Sequence, residues 1–270
     1  TEIFEIENSD RAFEEEIMLS GFANASVKPE GSAVSFDSAN ETFTARYTHE
    51  TIALAFSITE EAIEDNLYDS IAKRYTKALA RSMANTKQVK AANVLNNAFD
   101  SSFKGGDEKE LCATDHPTIA GTFKNELSTS ADLNETSLEQ ALIDIAAMTD
   151  ERGLKIAARG VKMIIPSELQ FTAERLMKTA NRVGTADNDI NAIASKGMIP
   201  QGYVVNNYLT DTDAFFIKTD IPNGLKMFNR AALKTAMEGD FDTGNVRYKA
   251  RERYSFGFSD PRGIFGSPGA

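Results

Sequence analysis

Cysteine occurs once in the 270 residues, at Cys112, so no intrachain disulfide can form and the fold must rest on its core. No apolar run approaches the roughly 20 residues that would span a bilayer, so no membrane segment is read. Residues 1–20 are acidic and lack a basic leading region, so no secretory signal is read there either. The chain begins at Thr1, which fits removal of a preceding segment. Basic residues are in deficit: 29 Lys and Arg against 40 Asp and Glu leave a net charge of −11. That balance argues against a protein that grips nucleic acid, though not against one that encloses it. The signatures of nucleotide binding, serine hydrolysis and zinc proteolysis (Walker A, G-x-G-x-x-G, G-x-S-x-G, H-E-x-x-H) are all missing. Finally, residues 32–104 contain neither Gly nor Pro.

What fills that last gap changes its period part-way. Phe43, Ala45 and Tyr47, then Ile52, Leu54, Phe56 and Ile58, recur every second residue, the spacing of a strand. From Ile63 the spacing is helical, through Leu67, Ile71, Tyr75, Leu79 and Met83, then Val89, Asn93 or Val94, and Ala98. Ser57-Ile58-Thr59-Glu60 has capping-box order at the change of period, and Gly105-Gly106 is placed to end the helix. A continuous helix of about 38 residues would be roughly 57 Å long at about 1.5 Å per residue. An ordinary globular helix is about 11–12 residues, so something elongated is expected.

The remaining chain reads as mixed α and β. Residues 1–22 look like an extended or partly helical arm, and 23–56 like a two-stranded excursion with turns near Pro29 and Asp37. A lone hairpin of that length is marginal in water, so it is expected to lie on another surface, which could be a second subunit. Residues 118–135 are polar and irregular, and 137–150 form a second helix. Val161-Lys162-Met163-Ile164-Ile165 is a buried strand, with Pro166 leading into a further helix. A long loop occupies 181–200; 201–206 and 214–218 read as paired strands, with 225–228 as a third. A turn at Gly239–Gly244 precedes a final long strand over 245–258, and the end is turn-rich.

The candidates for chemistry are few. Cys112 and His116 lie four apart beside Asp115, which allows a nucleophile with its base, or part of a metal site. With no second Cys and only His49 besides, we read a loop whose histidine bonds to backbone before Pro117. Asp150, Glu151, Asp240 and Asp242 read as turn anchors, not as an acid–base pair. Asp187-Asn188-Asp189 lacks the Gly and distal Glu of a calcium loop. No cofactor or metal is therefore assigned. Lys73, Arg74, Lys77, Arg81, Lys87 and Lys90 cluster on the long helix, and we read a solvated face meeting acidic groups of neighbouring subunits in preference to a nucleic-acid stripe.

Several ordered segments together carry a resemblance. They are Ile63-Glu64-Asp65-Asn66-Leu67-Tyr68-Asp69 and Ala91-Ala92-Asn93-Val94-Leu95-Asn96-Asn97-Ala98-Phe99 at the two ends of the helix, then residues 111–117. Ser137-Leu138-Glu139-Gln140-Ala141-Leu142, Met148-Thr149-Asp150-Glu151-Arg152-Gly153 and Ile164-Ile165-Pro166-Ser167-Glu168-Leu169 follow. Gly239-Asp240-Phe241-Asp242-Thr243 and Asp260-Pro261-Arg262-Gly263 complete the set. Their order over more than 200 residues resembles a tailed-phage major capsid protein of the Hong Kong 97 type. The resemblance implies an α+β fold with an N-terminal arm (1–22), an extended loop (23–57) and a peripheral domain with a spine helix (58–154). An axial domain (155–235) and a strand returning to the peripheral domain (236–270) would follow.

It further implies a non-enzymatic subunit of an icosahedral shell in the virion, assembled in the host cytoplasm. Pentamers and hexamers would enclose double-stranded DNA without sequence-specific binding or membrane. Scaffold, maturation protease, portal and decoration proteins are the partners such a subunit would meet. An encapsulin-like shell enclosing protein cargo is the alternative. On this reading the intersubunit contacts are Lys28, Phe43 and Tyr47 in the extended loop, Arg74 and Lys77 on the helix, and Asp187, Asn188 and Asn191 in the loop near the capsomer axis. Some family members crosslink a loop Lys to a neighbour's Asn. Lys28 is the only Lys in 23–57, but no partner Asn is matched and the crosslink is not carried over.

Overall fold

The computed structural model describes residues 2–65, 69–181 and 189–270. At the N-terminal end are β1 (Glu5–Asn8), β2 (Phe13–Leu19), β3 (Glu41–Thr48) and β4 (Glu50–Ile58), followed by helices α1 (Glu60–Glu64) and α2 (Asp69–Asn96). The middle holds a small hairpin, β5 (His116–Thr118) and β6 (Gly121–Phe123), then α3 (Glu135–Ala147), β7 (Gly160–Ile165), α4 (Gln170–Lys178) and α5 (Ala192–Lys196). Five strands close the chain: β8 (Tyr203–Val205), β9 (Phe215–Thr219), β10 (Leu225–Gly239), β11 (Val246–Phe258) and β12 (Ile264–Ser267).

Two four-stranded sheets organise these elements, in the orders β1-β10-β11-β4 and β12-β9-β7-β8. The second is a buried sheet whose strands are almost wholly apolar (Met163, Ile165, Phe215, Ile217, Phe265), packed on α3 through Leu138, Ala141 and Ile145. Helix α3 begins with Asn134, whose side chain accepts from Ser137 N while Ser137 Oγ accepts from Asn134 N, a reciprocal cap. The first sheet is long and open. One face rests on α2 through Ala250, Leu79 and Met83, and Leu95 near the end of α2 and Ala98 just beyond it join the core that links both sheets.

Several expectations need correction. Of the expected 38-residue helix, the described residues form α1, of five residues, and α2, which at 28 residues is about 42 Å long. Thr59, not Ser57, is the N-cap of α1, and it makes no side-chain cap bond, because Ser57 and Ile58 are still paired in β4. Leu67 lies outside the described residues. The helix ends at Asn96, well before Gly105: the Asn96 amide donates to Tyr208 O and accepts from Thr210 N. Gly105 and Gly106 serve close approach instead, since a Cβ on Gly106 would sit 2.7 Å from Thr44 O.

The strand spacing from Phe43 to Ile58 is not one strand but breaks at His49: β3 pairs with β2, whereas β4 pairs with β11. β8 and β9 do not pair with each other but flank β7 on opposite sides. Residues 225–228 begin the 15-residue β10 of the other sheet. The turn-rich end contains the buried edge strand β12.

The C-terminal segment is locked by Arg262, which is nearly fully buried. It donates from Nη2 to Glu151 Oε1 (2.7 Å), from Nε to Thr149 O (2.8 Å) and from Nη1 to Asp260 Oδ1 (3.3 Å), and its guanidinium lies 4.1 Å from the Phe123 ring centre. Burial pushes the Asp260 carboxyl up, and its bonds to Arg262 oppose that. Arg262→Met strands Glu151 as a buried charge and is expected to cost about 3–5 kcal/mol in urea unfolding, much of it recovered in the Glu151→Gln/Arg262→Met pair. A single variant within about 0.5 kcal/mol of the parent would refute this role.

Candidate intersubunit surface

The most exposed part of the chain is the connection between β2 and β3. These strands pair from Phe13↔Thr48 to Leu19↔Glu41, so the hairpin starts ten residues earlier than the composition indicated. Residues 20–40 continue it with sparse bonds. Ser20 N donates to Asn40 O, Ala23 N to Asp37 Oδ2, and Ser26 and Ser35 share a hydroxyl contact. Arg152 steadies the base of the loop, donating to Ser38 O at 2.8 Å and lying 3.7 Å from the Asp37 carboxylate. Beyond that anchor the loop carries Phe22, Val27, Val34 and Phe36 in the open, with Val27 95% and Phe36 98% exposed. Isolated exposed apolar residues are ordinary, but four large ones on one extended loop are not.

The hairpin is seated on the face of the first sheet turned away from α2. Tyr47 packs edge-on against Phe228 (4.8 Å between centroids), and its hydroxyl donates to Ser259, which in turn donates to Glu16. Lys226, buried in the sheet, donates to Glu16 and to Glu7 Oε1 (2.9 Å). Burial alone would lower the lysine pKa; the bonds to Glu16 and Glu7 outweigh it and hold the amine above its usual range. At the break between β3 and β4, His49 Nε2 lies 3.0 Å from Ser9 Oγ and Nδ1 3.0 Å from Ser255 Oγ. Ser9 donates to Glu14 (2.6 Å), so Nε2 is the protonated nitrogen and Nδ1 accepts from Ser255.

The expected contact residues separate into groups. Lys28 stands exposed near the loop tip, and Arg74 and Lys77 are exposed on α2 with no ion pair among the described residues. Phe43 is half-buried near Met18 and Phe123. Tyr47 is corrected: at 3% exposure it is an internal anchor, placed there because its alternation faces Phe228 and Gly257. Asn191 is corrected likewise. Buried, it caps α5 by accepting from Ile193 N and Ala194 N, and donates to Leu176 O at 2.7 Å. Asp187 and Asn188 lie outside the described residues. Two other helix cations find acids in their own chain: Lys87 pairs with Glu252 and Lys90 with Glu50.

The Cys112–His116 pair is not arranged for nucleophilic chemistry. His116 is fully buried, with Nδ1 2.6 Å from Asp107 Oδ2 and Nε2 donating to Asn125 Oδ1 at 3.0 Å; these side chains, not the backbone expected, are its partners. Asn125 also donates to the carbonyls of Leu111, Pro261 and Ile264, so the cluster ties three segments together. Burial pushes the Cys112 thiol well up, away from the reactive thiolate. Sequence reasoning missed Asn125 and Lys226, each an isolated polar residue in unremarkable local sequence, and it marked Arg262 only as part of a motif, without its bonding role.

A family model described as phage capsid protein matches residues 41–266. The chain belongs to the phage capsid protein family. No curated protein is similar enough in sequence to count as a relative. Among solved structures, the capsid of cyanophage P-SCSP1u is 13% identical with a TM-score of 0.64, covering 99% of this chain and 86% of that one. The capsid of Myoviridae phage XM1 is 11% identical with a TM-score of 0.59, covering 99% and 90%. A virus-like particle from Pyrococcus furiosus is 12% identical with a TM-score of 0.57, covering 98% and 90%. The fold of this capsid protein is thus the α+β Hong Kong 97-like one, and its place is the virion shell. Among the described residues no helix is long and apolar enough to cross a membrane.

His49 makes the seat of the loop sensitive to acid. Burial lowers its pKa first of all; Glu14 opposes this, and Arg253 and Arg230 add to it. Folding therefore favours the neutral ring. The stability it contributes is complete above the unfolded pKa of about 6.5 and is lost as pH falls toward the lower folded value. Protection of the amides in residues 13–19 and 41–48, taken relative to the intrinsic exchange rate at each pH, should fall between about pH 7 and 5 in the parent and fall less in His49→Gln. Equal pH profiles would refute the role.

Proposed function

We infer that this capsid protein is the major subunit of a phage head, self-assembling into a closed homo-oligomeric shell of pentamers and hexamers around double-stranded DNA. The observation that carries this is the loop of residues 20–40, whose four large apolar side chains no part of the same subunit covers. Full burial of one such side chain is worth about 1.5–3 kcal/mol, so a neighbour accepting all four gains roughly 6–12 kcal/mol before ordering costs. Repeated over every subunit, contacts of that size hold a shell.

In that shell residues 1–22 form the N-terminal arm, with β2 also the first strand of the extended loop, and 23–57 the loop itself. Residues 58–154 form the peripheral domain, 155–235 the axial domain, and 236–270 return to the peripheral domain. Lys28, Phe43, Arg74 and Lys77 are contact residues, and scaffold, maturation protease, portal and decoration proteins are the further partners. A non-catalytic role is supported by the buried, fully engaged His116 and the protonated Cys112 thiol.

Electron microscopy of the purified protein tests the shell, with uniform closed particles expected and a stable monomer in assembly conditions overturning the proposal. DNA protected inside nuclease-treated particles from producing cells supports the phage head, whereas a protein cargo without DNA would place the chain with encapsulin-like shells. Val27→Asp/Phe36→Asp should leave subunit stability within about 0.5 kcal/mol, because both sites are exposed, and should abolish most particle formation. Arg74→Glu/Lys77→Glu should impair assembly more than DNA retention; intact assembly with failed packaging would refute the packing role of α2.

A further inference from the structure

We propose that, on the face of the first sheet turned away from α2, the stretch of β11 ahead of the hairpin's seat carries an electrostatic docking track for the acidic end of a second copy of this chain. The inference rests on the shell reading above and specifies one of its contacts.

β11 alternates strictly. Ala250 packs on α2, Glu252 pairs with Lys87 at 3.1 Å, and Lys87 lies over the Tyr254 ring, so the even-numbered positions face the helix. Arg247, Lys249, Arg251 and Arg253 therefore share the opposite face. At roughly 6.6 Å between alternate residues these four cations span about 20 Å. Lys234 of β10 stands directly across from Arg251, where like charges oppose each other. The neighbouring positions on this face are small: Ala236 faces Lys249 from β10, and Ala55 and Ala53 face Lys249 and Arg251 from β4.

Arg247 is neutralised by Asp240. Lys249, Arg251, Arg253, Lys234 and Arg230 have no ion pair among the described residues, and the buried Nε atoms of Arg230 and Arg253 have no acceptor. A chain with a net charge of −11 thus concentrates uncompensated cations on one strand-borne surface. Lys234, Lys249 and Arg251 are exposed, so their charges are open to carboxylates supplied from outside the subunit.

The complement lies at one end of the same sheet. β4 ends opposite the start of β11 at Ile58↔Val246, and α1 follows at once with Glu60, Glu61 and Glu64 exposed and no basic residue in its last turn. Glu238 and Asp242 add to this end, and none of the five is ion-paired among the described residues. The sheet is therefore polarised, acidic at its tip and basic along its length. Such a surface is self-complementary: a two-fold brings each tip to the other's track and penalises like-on-like arrangements. Nucleic acid is the poorer occupant, since a strand following the track would run onto the acidic tip.

The test reverses charge at each end. Lys249→Glu/Arg251→Glu and Glu61→Lys/Glu64→Lys should each slow particle assembly, followed by light scattering at low salt, by about tenfold or more. The four-fold variant, with both ends reversed, should regain most of the parental rate. The differences should fade in about 1 M salt, where the screening length is about 3 Å. Circular dichroism confirms that each variant is folded; for one that is not, the glutamine versions at the same positions replace it and should show the same order of rates. Parental assembly by the two single-end variants, or a four-fold variant no better than them, overturns the proposal. Normal shells that have lost only DNA on Lys249→Glu/Arg251→Glu would also overturn it and make the track a nucleic-acid surface. Failure of the parental protein to form particles would instead overturn the shell reading.

Discussion

A lysine ammonium inside a β-sheet is the constraint on which much of this subunit depends. Lys226 is about as buried as the apolar residues around it, and an unpaired charge there would be prohibitive. Its two carboxylates come from different elements, Glu7 from β1 and Glu16 from β2. One buried cation therefore fixes the N-terminal strand and the root of the extended hairpin to the long sheet together. Tyr47 and Ser259 extend the same network to β3 and the end of β11. The loop of residues 20–40 makes few bonds of its own, so its direction is inherited from this root.

The same logic recurs at Arg262 and Asn125, where one polar side chain serves several chain segments. Arg262 joins the Thr149–Glu151 turn to the Asp260 turn, and Asn125 joins the 111–116 loop to the last strand. Residues 111–117, 148–153 and 260–263, three of the segments on which the family resemblance rests, are thus far apart in sequence and tied together in space. Buried polar groups tolerate little substitution because half a network is worse than none. That explains how short motifs can carry a fold at 11–13% identity to the solved capsids and particle it resembles.

Elements governed by local pattern were legible in the sequence. The period of α3, the buried run of β7, the turn before β11 and the alternation of β11 all follow from side-chain spacing, and they appear within a few residues of expectation. What was not legible depended on partners distant in sequence. Phe43 to Ile58 alternates without Gly or Pro, so nothing local announces that His49 marks an exchange of partners from β2 to β11. Alternation places Tyr47 on a face but does not say whether that face meets this subunit or another. Asn191 carries the composition of a contact loop and turns out to cap a short helix. The Gly- and Pro-rich end reads as turns, yet β12 is buried because β9 offers it an edge.

Charge distribution carries information that net charge conceals. A balance of −11 reads as a container that repels its contents. On β11, however, the two faces of one strand divide the charges: Glu252 is neutralised against α2, while the cations opposite are left without partners. A subunit destined to stand alone gains nothing from such an arrangement, because unpaired like charges along a strand weaken it. A subunit destined for a closed lattice does gain. The repulsion is relieved only when a neighbour is correctly placed, so the same charges that destabilise the free subunit select the geometry of its assembly.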